Sequence, residues 1–406
     1  YASGFGLNVG IDFTAYINHT TQYYQEKKAG KEDAFNAKSQ QDIRRLSVYA
    51  DQNHKLGKGW MLNYGTKFSF ASDKSSQVYH SLREHDWSIS NSYSKLDEYV
   101  YDLYTGFSKS FSDNLSVNAS LTGEYYKHKE IDYWSLFPMM EITYRAHPSH
   151  ILQLSVSSDK TYPSYWEMQN TVSYLNGYTE IQGNPDLRPS RLYSAQLNYI
   201  LKNKYIFTLY ANYIDNNFNQ LPYQSSERLV LIYKTLNFDY SSKLGLNVMI
   251  PFKAGSVLDS RLTLNGYYDK MKCDNYHDIS FNKDNLAFYA ELNNTFNISS
   301  KPTIKAEVSG SYITRNIQGP MTISCMYNVD AGLKWISPNG KAEISLKVDD
   351  MFNSWVPKDL NLQYKTQDLH MRMIPDSRRV SLSFIYKFGD FKAKEHKEVD
   401  SSRFGK

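Results

Sequence analysis

Apolar and polar residues alternate along most of this chain, and the alternation persists over long runs. Between Ile323 and Trp335 every odd-numbered position is apolar, whereas the even-numbered positions carry a single apolar residue, Met326. Successive side chains of a strand point to opposite faces, while a helix of this sequence would mix the two sets on each face. The run therefore predicts a β-strand with one apolar face.

The same two-residue period recurs along the chain. It is found in Leu7–Phe13, Trp60–Phe70, Tyr99–Phe107, Leu115–Tyr125, Leu244–Ile250, Leu286–Phe296, Ile304–Tyr312, Ala342–Val348 and Val380–Phe388. Three other runs, Gln41–Gln52, Trp134–Arg145 and Tyr205–Ile214, carry apolar residues on both faces and leave the type of element open.

Short and long connectors alternate between these runs. The short ones are Asn53–Lys58, Ser112–Asn114, Ala146–Ser149, Lys202–Lys204, Ile298–Pro302 and Ser337–Gly340. The long polar ones are Asn18–Gln40, Ser72–Asp97, Tyr162–Pro189, Asp215–Glu227, Met271–Asp284 and Asn353–Asp376. Short turns at one end and long loops at the other are typical of an outer-membrane barrel, and counting hairpins gives about sixteen strands.

Residues 1–391 are thus predicted to form an all-β transmembrane antiparallel up-and-down β-barrel. Residues 392–406 are charged and show no periodicity, which predicts a flexible periplasmic tail. A soluble β-sandwich would alternate in the same way, so strand length has to decide. Soluble strands average about 5–6 residues and a tilted membrane strand needs about 9–11; the clearest runs here have 11 to 13, which favours the membrane barrel.

Composition adds few constraints. The chain has 406 residues, 15% of them aromatic, and its formal net charge of +4 is too small to indicate a nucleic-acid partner. No window approaches 18 consecutive apolar residues, so no transmembrane helix is expected, although a membrane strand would show only alternation. The first residue is Tyr1 and no signal region precedes Gly4, so the sequence is expected to be a fragment. Cys273 and Cys325 fall on predicted strands three apart and are expected to be unrelated thiols.

The sequence gives no support for an enzyme. The loops and turns contain residues that could serve in catalysis or metal binding: His80, His85, Asp86, His147, His150, His277 and Asp278. No spacing among them identifies a nucleophile or a third metal ligand. Walker motifs, Gly-rich dinucleotide loops and Cys clusters do not occur either. We therefore expect no catalytic residues, no metal and no cofactor.

Two rigid corners bracket the predicted loop Tyr162–Pro189. The first reads Tyr-Pro-Ser-Tyr-Trp over residues 162–166, and the second reads Gly-Asn-Pro-Asp-Leu-Arg-Pro-Ser over residues 183–190. Gly183 tolerates φ > 0 and Asn184 with the following proline starts a turn. Arg188 is pushed toward extended backbone by the proline after it, so the chain leaves this corner as a strand.

These corners resemble the barrel domain of TonB-dependent outer-membrane receptors, in particular the outer membrane protein β-barrel family. Residues 378–389 are similar to that family's final strand, and residues 348–353 (Val-Asp-Asp-Met-Phe-Asn) resemble the end of its penultimate strand. Ser190 departs from the family, which usually has Glu there, so a role for that carboxylate is left in doubt. The family-motif residues, with structural roles, are Gly183, Asn184, Pro185, Leu187 and Pro189.

The resemblance implies a barrel of twenty-two strands enclosing an N-terminal plug, of which this sequence would hold about sixteen strands and no plug. It implies an outer-membrane transporter that takes up a large scarce solute with TonB-supplied energy. The long loops would be extracellular, and the short turns and the C-terminus periplasmic. The implied partners are outer-membrane lipid, the plug, the TonB complex through the missing N-terminal region, and a surface-exposed substrate-binding protein.

Aromatic and cationic side chains in the long loops are the candidates for solute contact. Aromatic rings stack on sugars, macrocycles or peptides, and an arginine pairs with anionic groups. The candidates are Tyr162, Tyr165, Trp166, Tyr174, Tyr178 and Arg372. A structural role in the loop is favoured over solute contact for the aromatic residues, and simple solvation is favoured for the arginine.

Two other functions remain open. A complete sixteen-stranded passive porin would pair Leu7–Phe13 with Val380–Phe388 to close a ring. A structural or adhesive barrel would have the same wall and transport nothing. The solute itself leaves no readable pattern in the loops.

Overall fold

The protein is described here by a computed structural model covering residues 5–28, 31–81, 91–357, 359–374, 376–389 and 403. One large antiparallel sheet forms a wall, and two four-stranded sheets are built from its long connectors. The prediction of an all-β antiparallel fold is confirmed. A short 3-10 turn occupies Gly57–Gly59. Within the described ranges, no helix has the length and apolar character needed to cross a membrane.

Twenty-four strands follow one another along the chain. The first twelve are β1 (Phe5–Lys28), β2 (Lys31–Lys55), β3 (Trp60–Ser81), β4 (Ser92–Ser112), β5 (Leu115–His128), β6 (Ile131–His147), β7 (His150–Thr161), β8 (Val172–Asn176), β9 (Thr179–Gln182), β10 (Ser190–Leu201), β11 (Tyr205–Asp215) and β12 (Phe218–Gln224). The others are β13 (Leu231–Asn237), β14 (Tyr240–Ala254), β15 (Leu258–Tyr276), β16 (Ile279–Ser300), β17 (Thr303–Ile313), β18 (Asn316–Gln318), β19 (Met321–Ile323), β20 (Met326–Ile336), β21 (Ala342–Asp349), β22 (Asp359–Tyr364), β23 (Gln367–Arg372) and β24 (Arg379–Tyr386).

The wall contains sixteen of these strands in the order β1-β2-β3-β4-β5-β6-β7-β10-β11-β14-β15-β16-β17-β20-β21-β24. Each wall strand pairs with the wall strands that precede and follow it along the chain, which is an up-and-down arrangement. Among the described residues, β1 pairs only with β2 and β24 only with β21. The β1–β24 ladder that a sixteen-stranded porin needs is therefore not formed.

The apolar stripes predicted from the sequence are on the outer surface. The stripe of β1 is 46% to 69% exposed at Leu7, Val9, Ile11 and Phe13, and Leu382 in β24 is 76% exposed. A soluble sandwich would bury such stripes in a dry core between two sheets. Their exposure fits a wall that meets lipid.

Polar side chains on the other face bond to one another along the ladders. The hydroxyls of Ser47 and Ser69 are 2.8 Å apart across β2 and β3, and Lys334 Nζ lies 2.5 Å from a carboxylate oxygen of Glu343 across β20 and β21. Cross-strand pairs of this kind stabilise the register of a sheet. They give the wall one polar and one apolar side.

The first hairpins are taller than expected. β1 and β2 have 24 and 25 residues, so the predicted loop Asn18–Gln40 is mostly the upper part of a hairpin. Strand also occupies residues 72–81 and 92–97 of the predicted loop Ser72–Asp97, and all of Met271–Asp284 except 277–278. The loop prediction is wrong there, because backbone pairing continues although buried positions such as Asp73, Ser75 and Gln77 are polar and show no apolar alternation.

The run starting at Ile323 is also interrupted. β19 ends at Ile323 and β20 begins at Met326, so Ser324 and Cys325 lie outside the strands. Cys325 is exposed, Cys273 is buried in β15, and both are free thiols, as expected.

Arg403 is the described residue of the predicted tail. Its side chain is buried against Glu98 in β4 and against the carbonyl oxygen of Pro163, just beyond β7. Both partners lie toward the long-connector end of the wall, since Glu98 pairs with His128 at the top of β5. Arg403 is therefore not at the short-turn end, where the sequence places the tail, because its guanidinium has a buried carboxylate partner. Residues 392–402 and 404–406 lie outside the described residues.

The two faces of the wall should respond differently to charge. Leu209, near the middle of β11, opposes Leu197 and Leu246 on the apolar face. Leu209→Arg should lower the unfolding free energy by about 2–4 kcal/mol, because the charge would enter hydrocarbon. A guanidinium titration of the protein folded into phospholipid vesicles measures this. Gln196→Arg, on the opposite face of β10, is the matched control and should cost no more than about 1 kcal/mol; equal losses would show that the apolar stripe does not face lipid.

Candidate functional site

The long connectors fold into two small sheets, referred to together as the cap. The first joins β8 and β9 to β12 and β13, with β9 and β13 parallel. The second joins β18 and β19 to β22 and β23. The two are linked by Gln224 and Gln367: Gln224 N–H donates to Gln367 Oε1 at 2.7 Å, and Gln367 Nε2 donates to the Gln224 carbonyl at 3.0 Å.

Gly183 is required by a close backbone approach. A Cβ at this position would lie 1.9 Å from the carbonyl oxygen of Gln169, and the N–H of Gly183 donates to the Thr171 carbonyl at 2.9 Å. Gly183 is not among the residues with positive φ. The sequence-based explanation, that Gly183 is needed for a left-handed backbone, is therefore wrong. Glycine is needed because a larger side chain would collide with the Gln169 carbonyl.

Asn184 and Pro185 tie the same corner to neighbouring connectors. Asn184 is buried; its Nδ2 donates to the Thr235 carbonyl in β13 at 2.9 Å, and its Oδ1 accepts from the Asp186 N–H at 3.2 Å. The Pro185 carbonyl accepts from His128 Nε2 at 3.3 Å. The predicted turn thus also holds β5 and β13 to this connector.

Leu187 and Tyr165 anchor the connector inward. Both are fully buried with Met168, in a cluster that includes Ile43 of β2 and Leu96 of β4. Those strands lie three to five places from β7 in the sheet, so the connector between β7 and β10 crosses the inner face of the wall. Burial of each large apolar side chain contributes roughly 1.5–3 kcal/mol, which makes this a firm attachment.

A network of charges lies below Tyr162. Lys160 Nζ is 2.7 Å from an Asp102 carboxylate oxygen and also contacts Glu124, to which the Tyr162 hydroxyl donates. The adjoining cavity has a volume of about 120 Å³ and is lined by both signs of charge, from Arg45, Lys67, Glu98, Asp102, Lys160 and Arg403. The inner face of the wall is therefore polar and carries charges of both signs at this level.

The aromatic candidates divide into inward and exposed groups. Tyr162 and Tyr165 come together inside the wall, as described above. The Tyr174 ring is also engaged, edge-on to Phe35 with 5.4 Å between ring centroids. Trp166 and Tyr178 are 41% and 44% exposed. These two are the aromatic candidates with rings open to solvent.

Arg372 lies on a different part of the cap from the aromatic candidates. It is exposed at the end of β23, where it lies opposite Asp359 of β22 in the strand register. The aromatic candidates belong to the connector between β7 and β10. The structure therefore does not gather the six predicted ligand-binding residues into one site.

The cap has an apolar core that the sequence patterns missed. It is contributed by three connectors and by the upper end of the β15–β16 hairpin, and it consists of Leu221, Tyr223, Ile232, Phe238, Cys273, Tyr276, Ile279, Phe281, Met321 and Leu362. The available signal was apolar alternation inside a predicted loop, as at Ile279 and Phe281. Apolar runs this short, surrounded by polar residues, cannot be distinguished from loop in a single sequence.

His277 lies beside this core and does not form a catalytic pair. Its ring stacks on Tyr223 with 4.0 Å between centroids and meets Tyr276 edge-on at 5.0 Å. Burial lowers the pKa of His277 to about 4; Lys234 acts in the same direction and Asp278 opposes it. Its Nε2 is buried without a hydrogen-bond partner among the described residues. The imidazole is therefore neutral at pH 7 and acts as a packing group.

The other histidine candidates have local roles. His150 Nδ1 is 2.7 Å from the Tyr199 hydroxyl, and His147 Nδ1 accepts from a backbone N–H of its own turn. His80 lies in β3. In the part of the chain that the structure describes, no group of three or more His, Cys, Asp or Glu residues could hold a metal. Two candidates lie outside the described residues: His85 and Asp86.

Asp350 organises the connector after β21, a role that sequence reasoning missed. It has a left-handed φ of 44°, and its carboxylate accepts from the N–H groups of Ser354 at 2.9 Å and Trp355 at 3.0 Å and from the Ser377 hydroxyl. Burial opposes its ionisation, but these hydrogen bonds outweigh burial and keep the pKa of Asp350 below its usual range. Asp350 thus fixes both ends of the connector.

Replacing Gly183 tests the close approach. Gly183→Ala should destabilise the connector by about 1–3 kcal/mol, because the new methyl group collides with a backbone carbonyl that has to move. Limited chymotrypsin digestion of the folded protein measures the opening of this segment. Gly266→Ala is the control, since a Cβ there meets nothing within 4 Å; equal digestion of the two variants would contradict the steric explanation.

The cap should loosen in acid. His277 is neutral in the folded cap with a pKa of about 4, whereas an unfolded histidine takes up a proton below about pH 6.5. The stability that burial of neutral His277 provides is therefore complete above pH 6.5 and declines as the pH falls toward 4. Hydrogen exchange of the cap between pH 7 and pH 4.5 measures this decline. His277→Phe keeps the stacking and should flatten the pH dependence of hydrogen exchange in the cap, while His147→Gln at the short turns should not. An unchanged pH dependence in His277→Phe would rule out His277 as its source.

Comparison with known proteins agrees with this geometry. The family model of the outer membrane protein beta-barrel family matches residues 3–386. The sequence has no match among curated proteins.

Several solved structures share the fold. The FrpB iron transporter from Neisseria meningitidis is 14% identical with a TM-score of 0.53, over 92% of this chain and 63% of FrpB. FpvAI, in its complex with pyocin S2, is 13% identical with a TM-score of 0.56, over 95% and 55%. A mutant of the ferric enterobactin receptor PfeA from Pseudomonas aeruginosa is 10% identical with a TM-score of 0.51, over 84% and 57%.

This chain spans between 55% and 63% of the length of those three structures, and identities this low show a common fold and nothing finer. The family match covers nearly all of the chain and confirms the resemblance carried by the two corners and the last strands. The chain belongs to the outer membrane protein β-barrel family.

Proposed function

We propose that this chain is the barrel portion of an outer-membrane active-transport receptor that takes up a large, scarce solute with energy supplied through TonB. Such a receptor performs no covalent chemistry. The barrel holds the outer connectors, encloses a polar path and satisfies its own backbone in lipid.

The inward connector between β7 and β10 carries this proposal. It packs Tyr165 against Ile43, and its Val172 exchanges two hydrogen bonds with the Gln77 side chain of β3, at 2.9 and 3.1 Å. A passive porin keeps its lumen open for diffusion. A connector bonded across the inner face obstructs that path, which suits a receptor that releases its solute only after a conformational change.

The exposed residues of the cap are the proposed solute contacts. Trp166 and Tyr178 are partly exposed aromatic side chains, and Arg372 offers a cation for anionic groups. FrpB is described as an iron transporter and PfeA as a ferric enterobactin receptor. Ferric chelates are therefore the first solutes to test for transport. Haem, glycans, cobalamin and peptides follow.

The remaining parts of the proposal come from the family resemblance. The proposed partners are outer-membrane lipid around the apolar stripes, a plug inside the wall, the TonB complex, and a substrate-binding protein at the cap. The long connectors are placed outside the cell and the short turns in the periplasm. We expect the complete barrel to have twenty-two strands.

Liposome swelling separates a receptor from a pore. Vesicles containing the full-length protein are diluted into isosmotic arabinose or stachyose, and the rate of swelling is followed by light scattering. We expect rates equal to those of protein-free vesicles, because the path is obstructed. Swelling that falls with solute size would instead establish a porin.

Energy coupling separates a receptor from an adhesive barrel. Cells carrying the full-length gene are given a panel of ferric siderophores, haem, cobalamin and oligosaccharides, with and without an intact TonB. We expect at least one solute to accumulate only when TonB is present. Trp166→Ala should raise the concentration needed for half-maximal uptake of that solute, while Trp60→Ala at the short-turn end should not. Accumulation of none of the solutes would favour the adhesive alternative.

A further inference from the structure

A closed pocket on the inner face of the wall holds the guanidinium of Arg403. Its Nη1 and Nη2 lie 2.7 and 3.0 Å from the two carboxylate oxygens of Glu98. This is a two-pronged contact, in which the planar fork of an arginine matches the two oxygens of a carboxylate. Glu98 is 2% exposed and Arg403 is 9% exposed, so both charges are removed from water.

Aromatic rings and a carbonyl complete the pocket. The guanidinium carbon lies 4.6 Å from the ring centroid of Tyr162 and 4.6 Å from that of Tyr165. Nε and Nη2 also donate to the Pro163 carbonyl, at 3.2 and 3.1 Å. A guanidinium stacks on aromatic rings and donates in several directions at once, whereas the ammonium of a lysine is a compact, strongly hydrated charge. The pocket therefore selects arginine over lysine.

Glu98 is held in place by groups that belong to the wall and the connector. The Tyr126 hydroxyl donates to one oxygen at 3.0 Å and the Tyr165 hydroxyl to the other at 3.4 Å. Tyr126 is fully buried. A carboxylate at this depth is costly unless it is paired and hydrogen-bonded. The arrangement is thus a preformed receptor for a cation.

The pocket also contacts the main chain of its ligand. The Tyr165 N–H donates to the backbone carbonyl of Arg403 at 3.3 Å. A small guanidinium compound would leave that donor without this acceptor. The complete set of contacts is satisfied by an arginine residue within a polypeptide.

We propose that this pocket is an arginine-binding site of the barrel interior, whose ligand is an arginine residue of a polypeptide segment lying inside the wall. In this structure the ligand is the chain's own Arg403. An arginine from another polypeptide segment within the barrel has the same chemistry and is the alternative source. The site is independent of which solute the receptor transports, and of whether it transports one.

Emptying the pocket tests the assignment. The probe is N-acetyl-arginine methylamide, which supplies both a guanidinium and a backbone carbonyl, and its binding to purified full-length protein is measured by isothermal titration calorimetry. The Arg403→Ala variant should bind the probe at least about tenfold more tightly than the wild type, whose pocket is occupied. Arg378→Ala removes an exposed arginine instead and should bind like the wild type. N-acetyl-lysine methylamide should bind Arg403→Ala at least about tenfold more weakly than the arginine probe, because it lacks the fork.

Removing the carboxylate tests the pocket itself. Glu98→Gln combined with Arg403→Ala should lower the affinity for the probe at least about tenfold relative to Arg403→Ala alone, because the charge-assisted pair is lost. If the double variant does not fold, Tyr126→Phe with Arg403→Ala keeps the ring and should weaken binding about two- to fivefold through one lost hydrogen bond.

The outcomes separate the two sources of arginine. Equal binding by the wild type and by Arg403→Ala, with both weakened by loss of Glu98 or of the Tyr126 hydroxyl, would support the pocket and overturn its occupation by Arg403. In that case the pocket is vacant in the wild type and is open to an arginine from another segment. Binding by Arg403→Ala that does not change when Glu98 or the Tyr126 hydroxyl is removed would overturn the arginine site. So would the absence of any binding to Arg403→Ala.

Discussion

Backbone hydrogen bonding in a medium without water is the constraint on which this structure depends. In hydrocarbon each unsatisfied N–H or C=O costs several kcal/mol, so strands can cross only if their ladders are continuous. The sixteen wall strands form continuous antiparallel ladders from β1 to β24, and among the described residues only the outer edges of β1 and β24 are left without a paired strand. Because the ladders satisfy the backbone, the side chains are free to give the wall one face for lipid and one for water.

The inner face also has to stabilise charged side chains that are shielded from water. It does so by pairing them: Lys160 lies between Asp102 and Glu124, and Glu98 is matched by a guanidinium. Buried pairs of this kind add little net stability, but removing one member leaves an uncompensated charge. Each charged side chain on the inner face therefore requires its particular partner. This requirement allows the connector between β7 and β10 to be held firmly across that face.

Much of the wall could be predicted from the sequence, because lipid on one side and water on the other impose a two-residue period that a single sequence displays. The stripe beginning at Leu7 and the last strand are examples. The tall hairpins could not be predicted, because their buried positions carry polar residues such as Asp73, Ser75 and Gln77, so burial alternates where hydrophobicity does not. Gly183 was singled out for the wrong reason, since the obstructing carbonyl belongs to Gln169 and only the folded connector brings the two together. Arg403 was invisible for the same reason, because its partner lies 305 positions away in the chain.

The cap's apolar core has a consequence for how such receptors diversify. Its members come from four separate segments, namely three connectors and the β15–β16 hairpin, and they include Phe238, Tyr276, Met321 and Leu362. A change of length in one connector would open a gap that the other three cannot fill, so these segments cannot evolve independently at their bases. Their exposed tips share no such core. Changes at the tips can therefore leave this core intact, whereas a transplanted core would require all four segments to be moved as one block.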